Sequence, residues 1–300
     1  MEGPCGCERG GPVVWREAGH AGRRCACGLV YIDPAPPARP PHEPPRELHH
    51  DGYYAFGAEH RVDWVQRWCA RGRLLEVGPG PGHLLAAALR RGFTVAGVDA
   101  NPGSVRHIRD RLGVEVELGS IESSRLPDGA FDVVVNVDLM SHFDDPVVAL
   151  RAMARRLAPG GHLCFELSLL GGISPAWYRM LGRVGFPEHR WLYSREALER
   201  VMVRAGLRVA GVRRLGLAAV CGAVLVRRAA GPLAERIAGK RGHGRDGRDG
   251  RAADSRDGLP PPQNAAHRLY ERALSMLRYR VGRAVPAVGP QCLLVAARPE

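Results

Sequence analysis

The stretch Leu74-Leu75-Glu76-Val77-Gly78-Pro79-Gly80-Pro81-Gly82 constrains this chain most, because few backbones accommodate it. A short apolar run stops at three alternating glycines, and apolar residues at helical spacing (Leu85, Ala88, Leu89) begin at once. That order predicts a strand, a tight turn and a helix. Glycines in the turn let backbone and ligand approach closely, and Gly92 suits a helix C-cap before the next strand, Phe93 to Val98. The second strand ends in Asp99, where a carboxylate can accept two hydrogen bonds from a ribose diol. The arrangement reads as a nucleotide-cofactor pocket.

The alternation continues downstream. Asn101-Pro102 signals a helix start, with Val105, Ile108 and Leu112 at helical spacing. A third strand, Val114 to Leu118, ends at Gly119-Ser120-Ile121-Glu122, and Phe131 to Val137 reads as a fourth, buried parallel strand. Asp145-Pro146 opens a helix with Val147, Leu150, Met153 and Leu157 inward, and Pro159-Gly160-Gly161 turns into the strand His162 to Leu167. Further on, Ser194 caps a helix ended by Gly206, Leu207 to Val212 and Gln291 to Ala297 read as strands, and Leu269 to Val281 as a helix. The pattern predicts an α/β fold: a Rossmann-like, doubly wound, mostly parallel seven-stranded sheet with helices on both faces.

Composition narrows the partners. The formal net charge is +12, yet Lys240 is the sole lysine and the arginines are spread along the chain among aspartates. A nucleic-acid surface would gather its charge on one face beside aromatic residues, so the sequence argues against that partner. Met1 to Pro12 lacks the pattern of a signal peptide, and the apolar run Leu215 to Val226 is too short to span a bilayer, so a soluble, cytoplasmic protein without membrane contact is expected. The oligomeric state is left open.

Leu74 to Pro159 resembles a class I S-adenosylmethionine-dependent methyltransferase domain of the type 11/12/23 kind. Four landmarks in order carry the likeness: Glu76 before the glycines, Asp99, Phe131-Asp132-Val133-Val134, and Leu157-Ala158-Pro159-Gly160-Gly161. A dinucleotide-binding turn would need a small residue where His83 stands. The resemblance implies S-adenosylmethionine as cofactor, held by Glu76, Gly78, Gly80, Gly82, Asp99, Ala100, Ser120, Ile121 and Asn136. Ser120 departs from the aspartate usual at its position, where Glu122 is the nearest substitute. The acceptor belongs at the carboxyl end of the fourth strand, which nominates Asp138, Met140, Ser141 and His142, with Tyr53 and Tyr54 from the lead-in. His142 is the candidate base, because imidazole titrates near neutrality, with a fixed structural histidine as the alternative.

Eight cysteines include the pairs Cys5-Gly-Cys7 and Cys25-Ala-Cys27, flanking a Val13-Val14-Trp15 strand and followed by Gly28-Leu29-Val30-Tyr31. This resembles the zinc-ribbon-like segment that precedes some methyltransferase domains, although each pair encloses one residue where a knuckle usually has two. Structural zinc on Cys5, Cys7, Cys25 and Cys27 and a degenerate module without metal are both open. The expected organisation is a Cys-rich module (1–33), a Pro-rich linker and lead-in (34–60), the methyltransferase core (61–214), a helical insertion (215–289) with a mobile Arg-Asp-Gly loop at about 241–262, and a last core strand (290–300). The expected function is methyl transfer to an oxygen of a small-molecule acceptor in a biosynthetic pathway. RNA or protein methylation and a catalytically silent scaffold are the alternatives.

Overall fold

A computed structural model describes residues 2–37, 51–217, 265–284 and 289–300, with the side chains of 51–53, 265–268, 270 and 271 excluded. The Arg-Asp-Gly loop, most of the predicted insertion and the side chain of Tyr53 therefore lie outside the described residues. The N-terminal module contributes β1 (Val13–Glu17), β2 (His20–Arg24) and β3 (Val30–Asp33) as an antiparallel meander. Helix α1 (Asp51–Val65) leads into β4 (Arg73–Val77), α2 (His83–Arg90), β5 (Thr94–Asp99), α3 (Pro102–Leu112) and β6 (Val116–Leu118). Then come β7 (Phe131–Val137), α4 (Pro146–Arg156), β8 (Leu157–Leu169), α5 (Pro175–Leu181), β9 (Trp191–Leu192), α6 (Arg195–Arg204) and β10 (Leu207–Gly216). Helix α7 (Ala265–Tyr279) and strand β11 (Gln291–Pro299) follow.

The main sheet has seven strands in the order β10-β11-β8-β7-β4-β5-β6. Strands β4 to β8 are parallel, whereas β11 runs antiparallel to both β8 and β10. The order reverses between β4 and β7, the switch point where ligands of such sheets bind. Local chemistry explains the helix starts. Asn101, Asp145 and Ser194 accept hydrogen bonds from the first free amides of α3, α4 and α6, and proline follows the first two caps. Two details differ from the sequence pattern. Leu89 is 40% exposed, because the short α2 buries Leu84, Leu85, Ala87 and Ala88 instead. Strand β8 starts at Leu157, with Phe131 opposite Leu157 and Val133 opposite His162, so the Pro-Gly-Gly turn bulges from the ladder.

Alternating strand residues face opposite layers. Leu75, Val134, Phe165 and Val295 pack towards Leu150 and Met153 of α4 and Val201 of α6. Leu74, Val133, Val135, Cys164 and Leu294 pack towards Val62 and Trp64 of α1, Leu85 of α2 and Tyr279 of α7. A second, four-stranded sheet has the order β1-β2-β3-β9, so the N-terminal module completes its sheet with a strand from far downstream. Among the described residues, no helix is long and apolar enough to cross a membrane.

Candidate active site

The glycine loop joins β4 to α2 with positive φ at Gly78 (69°), Gly80 (53°) and Gly82 (81°). A Cβ on Gly78 would lie 2.8 Å from Cδ2 of Leu139, whereas Gly80 faces open space. Asp99 orders the turn from the neighbouring strand. Its Oδ2 accepts from Gly80 N at 3.0 Å and its Oδ1 from Asn101 N at 2.8 Å. Burial raises the Asp99 carboxyl above its usual value and those two bonds oppose the rise. Each oxygen retains acceptor capacity for a further hydroxyl.

Glu76 lies beneath the loop at 3% exposure, and its Oε2 finds no hydrogen-bond partner among the described residues. Burial, with Asp99 adding to it, pushes the carboxyl up to about 8, against Arg61 and the Leu85 amide. A buried, underused acceptor at the base of a glycine loop fits an incoming ammonium group. The residues therefore suit the amino-acid end of S-adenosylmethionine at Glu76 and its ribose at Asp99.

Beside the loop opens a cavity of about 380 Å3. Of the residues nominated from sequence, Gly78, Asp99, Ala100, Ser120, Ile121 and His142 line it, with Glu122, Phe143, Asp144 and Arg190. The Ser120 hydroxyl lies 3.1 Å from that of Ser123, which leaves Glu122 as the lining carboxylate beside it. His142 meets His189 edge-on, with ring centroids 4.8 Å apart. Other nominated residues fall elsewhere. Asn136 is fully buried and donates to the Met153 sulfur at 3.4 Å, because even positions of β7 face α4. Met140 is fully buried in the core, and Tyr54 is 43% exposed. Ser141 contributes its carbonyl, which accepts from Arg190 N at 2.7 Å.

A buried ionic network lies at the carboxyl end of β7 and β8. Glu166 accepts from Arg61 Nε and Nη2, each at 3.0 Å, from Arg278 of α7, and from the Tyr279 hydroxyl at 2.8 Å. Burial opposes ionisation of Glu166, but Arg278 and Arg61 together hold its carboxyl down to about 2. Asp138 follows β7 in the left-handed region (φ 51°), with its amide bonded to Glu166 O at 2.9 Å and Oδ2 3.7 Å from Arg278. Burial raises the Asp138 carboxyl above its usual value and Arg278 opposes the rise. Sequence reasoning passed over this network. One signal was present: Glu166 is a lone acid within the apolar run Leu163-Cys164-Phe165-Glu166-Leu167, a pattern that demands a buried partner.

In the N-terminal module the sulfurs of Cys5, Cys7, Cys25 and Cys27 all lie within 4.8 Å of one another. Cys5 and Cys25 are 3.6 Å apart and Cys25 and Cys27 3.2 Å. Tetrahedral zinc with bonds of ~2.3 Å needs sulfurs roughly 3.8 Å apart. The four thiols thus fit a metal ion despite the single residue inside each pair.

A doubly wound sheet with this glycine loop, and an acid ending the neighbouring strand, defines a class I S-adenosylmethionine-dependent methyltransferase fold. A family profile described as "Methyltransferase domain" matches residues 49–211, and the chain belongs to that family. It is 34% identical over 115 residues to a ubiquinone biosynthesis O-methyltransferase of Ralstonia nicotianae, covering 35% of this chain and 48% of the relative. The same-named protein of Alkalilimnicola ehrlichii is 36% identical over 116 residues, covering 35% and 47%. The chain thus spans about half the length of these curated relatives. In fold it is similar to a geranyl diphosphate methyltransferase solved with S-adenosylmethionine (TM-score 0.52, 17% identity, 82% of this chain and 85% of that one). It is also similar to the geranyl diphosphate C-methyltransferase of Streptomyces coelicolor (TM-score 0.51, 16% identity, 80% and 75%).

Proposed function

We propose that this protein transfers a methyl group from S-adenosylmethionine to an oxygen of a small-molecule acceptor. The observation that carries the reading is the pairing of Glu76, buried with an unused oxygen, and Asp99, held open by Gly80 and Asn101. The curated relatives named as O-methyltransferases favour oxygen. When bound, the cofactor supplies a methyl group on a sulfonium, whose displacement requires alignment and exclusion of water more than covalent help from the protein. Glu76 and the loop amides hold the amino-acid end, Asp99 the ribose, and Ala100, Ser120 and Ile121 the base.

The acceptor lies beside Asp138, under α1 and α7, which meet over Glu166 through Arg61, Arg278 and Tyr279. Such a roof suits a small molecule better than a nucleic acid or a protein chain. Asp138, strained and raised in pKa, takes the acceptor's proton, while His142, in the cavity with Ser120 and Ile121, serves as part of the cofactor wall. The N-terminal cysteines hold zinc as a structural ion.

Calorimetry with S-adenosylhomocysteine, followed by an acceptor screen read by the mass gain of one methyl group, tests the proposal. Turnover on phenolic or carboxylic small molecules, lowered about 100-fold by Asp138→Asn and little by His142→Ala, is the expected result. Modification of RNA or protein alone points to the macromolecular alternative. Cofactor binding without turnover on any acceptor class points to a silent scaffold.

A further inference from the structure

The loop after β7 supplies His142, Phe143 and Asp144 to the cavity and presses Leu139 against Gly78. Its backbone carbonyls are not satisfied within the loop alone. Met140 O accepts from the Tyr193 hydroxyl at 3.1 Å, Ser141 O from Arg190 N at 2.7 Å and Trp191 N at 3.3 Å, and Phe143 O from the Trp191 indole at 2.7 Å. Arg190 also pairs with Asp144 at 3.0 Å. The four residues Arg190 to Tyr193 thus hold the loop at three carbonyls and one carboxylate.

That segment is in turn held by the cysteine module. Strand β9 has two residues, and its strand partner is β3, with Val30 opposite Leu192 and Tyr31 opposite Trp191. The Arg9 guanidinium lies over both Tyr31 and Trp191, 5.4 and 5.2 Å from the ring centroids. Cys27 O accepts from the Ser194 hydroxyl at 2.5 Å, directly after β9, and Cys25 N donates to Leu29 O at 2.9 Å, fixing the turn that enters β3. A two-residue strand cannot hold its own register, so the order of β9 depends on β3 and on the cluster that closes the turn before it.

We propose that Trp191 and Tyr193 are positioning residues for the cofactor cavity, and that the four-cysteine cluster sets cofactor affinity through β3, β9 and the loop after β7. The proposal rests on the reading of the cavity as the S-adenosylmethionine site. It makes the N-terminal module a supporting wall of that site, so that loss of metal from the cluster, or oxidation of its thiols, lowers occupancy by the cofactor.

The test is S-adenosylhomocysteine binding to the full chain, by calorimetry, with zinc content and melting temperature measured on the same samples. Trp191→Phe keeps the ring against β3 but removes the donor to Phe143 O, and should weaken binding about fivefold with zinc content and melting temperature unchanged. Tyr193→Phe, which removes the donor to Met140 O, should act in the same direction and stands in if the first variant is poorly folded. Trp68→Phe is the control, because the Trp68 indole N–H has no hydrogen-bond partner among the described residues; its binding should match the wild type. Zinc-depleted protein under reducing conditions should bind at least as weakly as Trp191→Phe and recover on adding back zinc. Wild-type affinity in both loop-donor variants or in zinc-depleted protein, while Asp99→Ala binds poorly, overturns the proposal and leaves the cavity reading intact. Undiminished binding by Asp99→Ala overturns both.

Discussion

One side of the cavity is made by Gly78, Asp99 and Ala100, which belong to a single strand-turn-helix-strand unit whose parts bond to one another: Gly80 N to Asp99, and Gly78 N to Val98 O at 2.9 Å. The other side, His142 to Asp144, follows β7 and takes its shape from Trp191, 48 positions downstream of the carbonyl it holds, and from a module before the core. The first wall is specified where it stands, by glycines that admit positive φ and an acid that bridges to the loop. The second is specified by what packs behind it. A change in the first wall should therefore act on binding at once, whereas the second can be altered from a distance.

The largest effect is expected outside both walls, in the buried ionic network around Glu166. Glu166→Gln leaves Arg61 and Arg278 buried without their counter-charge and should lower the unfolding free energy by about 3 kcal/mol in urea titrations. Because the carboxyl is held at about 2 in the folded chain, its contribution is complete above the ordinary carboxylate range and is lost as pH falls from there through about 2. The variant should lack that part of the wild type's acid sensitivity.

On the local wall, Asp99→Ala should weaken S-adenosylhomocysteine binding about 100-fold by removing two charge-assisted hydrogen bonds to the ribose, with the far-ultraviolet dichroism unchanged. Glu76→Gln should weaken S-adenosylmethionine binding about tenfold and should also change its pH dependence. With the free carboxyl at about 8, an incoming ammonium drives its ionisation, so binding near pH 7 releases a proton and tightens as pH rises towards 8. Calorimetry in buffers of different ionisation heat measures that proton, and the glutamine variant should release none. The sign for stability is opposite. In ligand-free protein, stability falls as pH rises from the ordinary carboxylate range to about 8, since the unfolded chain ionises there first. The smallest effect is expected at Ser120→Asp, which restores a carboxylate beside the base and should tighten binding about threefold; no change in calorimetry would show that Glu122 already fills the role.

Legibility follows the same division. Strand β4, the glycine turn, α2 and Asp99 could be read directly, because spacing alone encodes contacts that close within a few residues or one strand crossing. The caps Asn101, Asp145 and Ser194 were equally plain, since each bonds to amides two or three positions on. The family resemblance assigns Asn136 to the cofactor and proximity to the strand end nominates Met140, but strand alternation turns the first towards α4 and packing buries the second. The cysteine pairs had an unusual spacing, and only the meander of β1 to β3 brings their sulfurs within 4.8 Å.

By itself, then, the sequence determined the class of sheet, the glycine loop, the acid that ends the neighbouring strand and the cofactor class they suit, because hydrophobic period, turn chemistry and capping act over short distances along the chain. Tertiary structure alone decided that Glu166 collects Arg61 and Arg278, residues 105 and 112 positions away, and that a two-residue strand ties the cysteine module to the cavity. Those pairings depend on which buried charges and unsatisfied carbonyls the packed layers bring together, and no local pattern records a partner that only folding supplies.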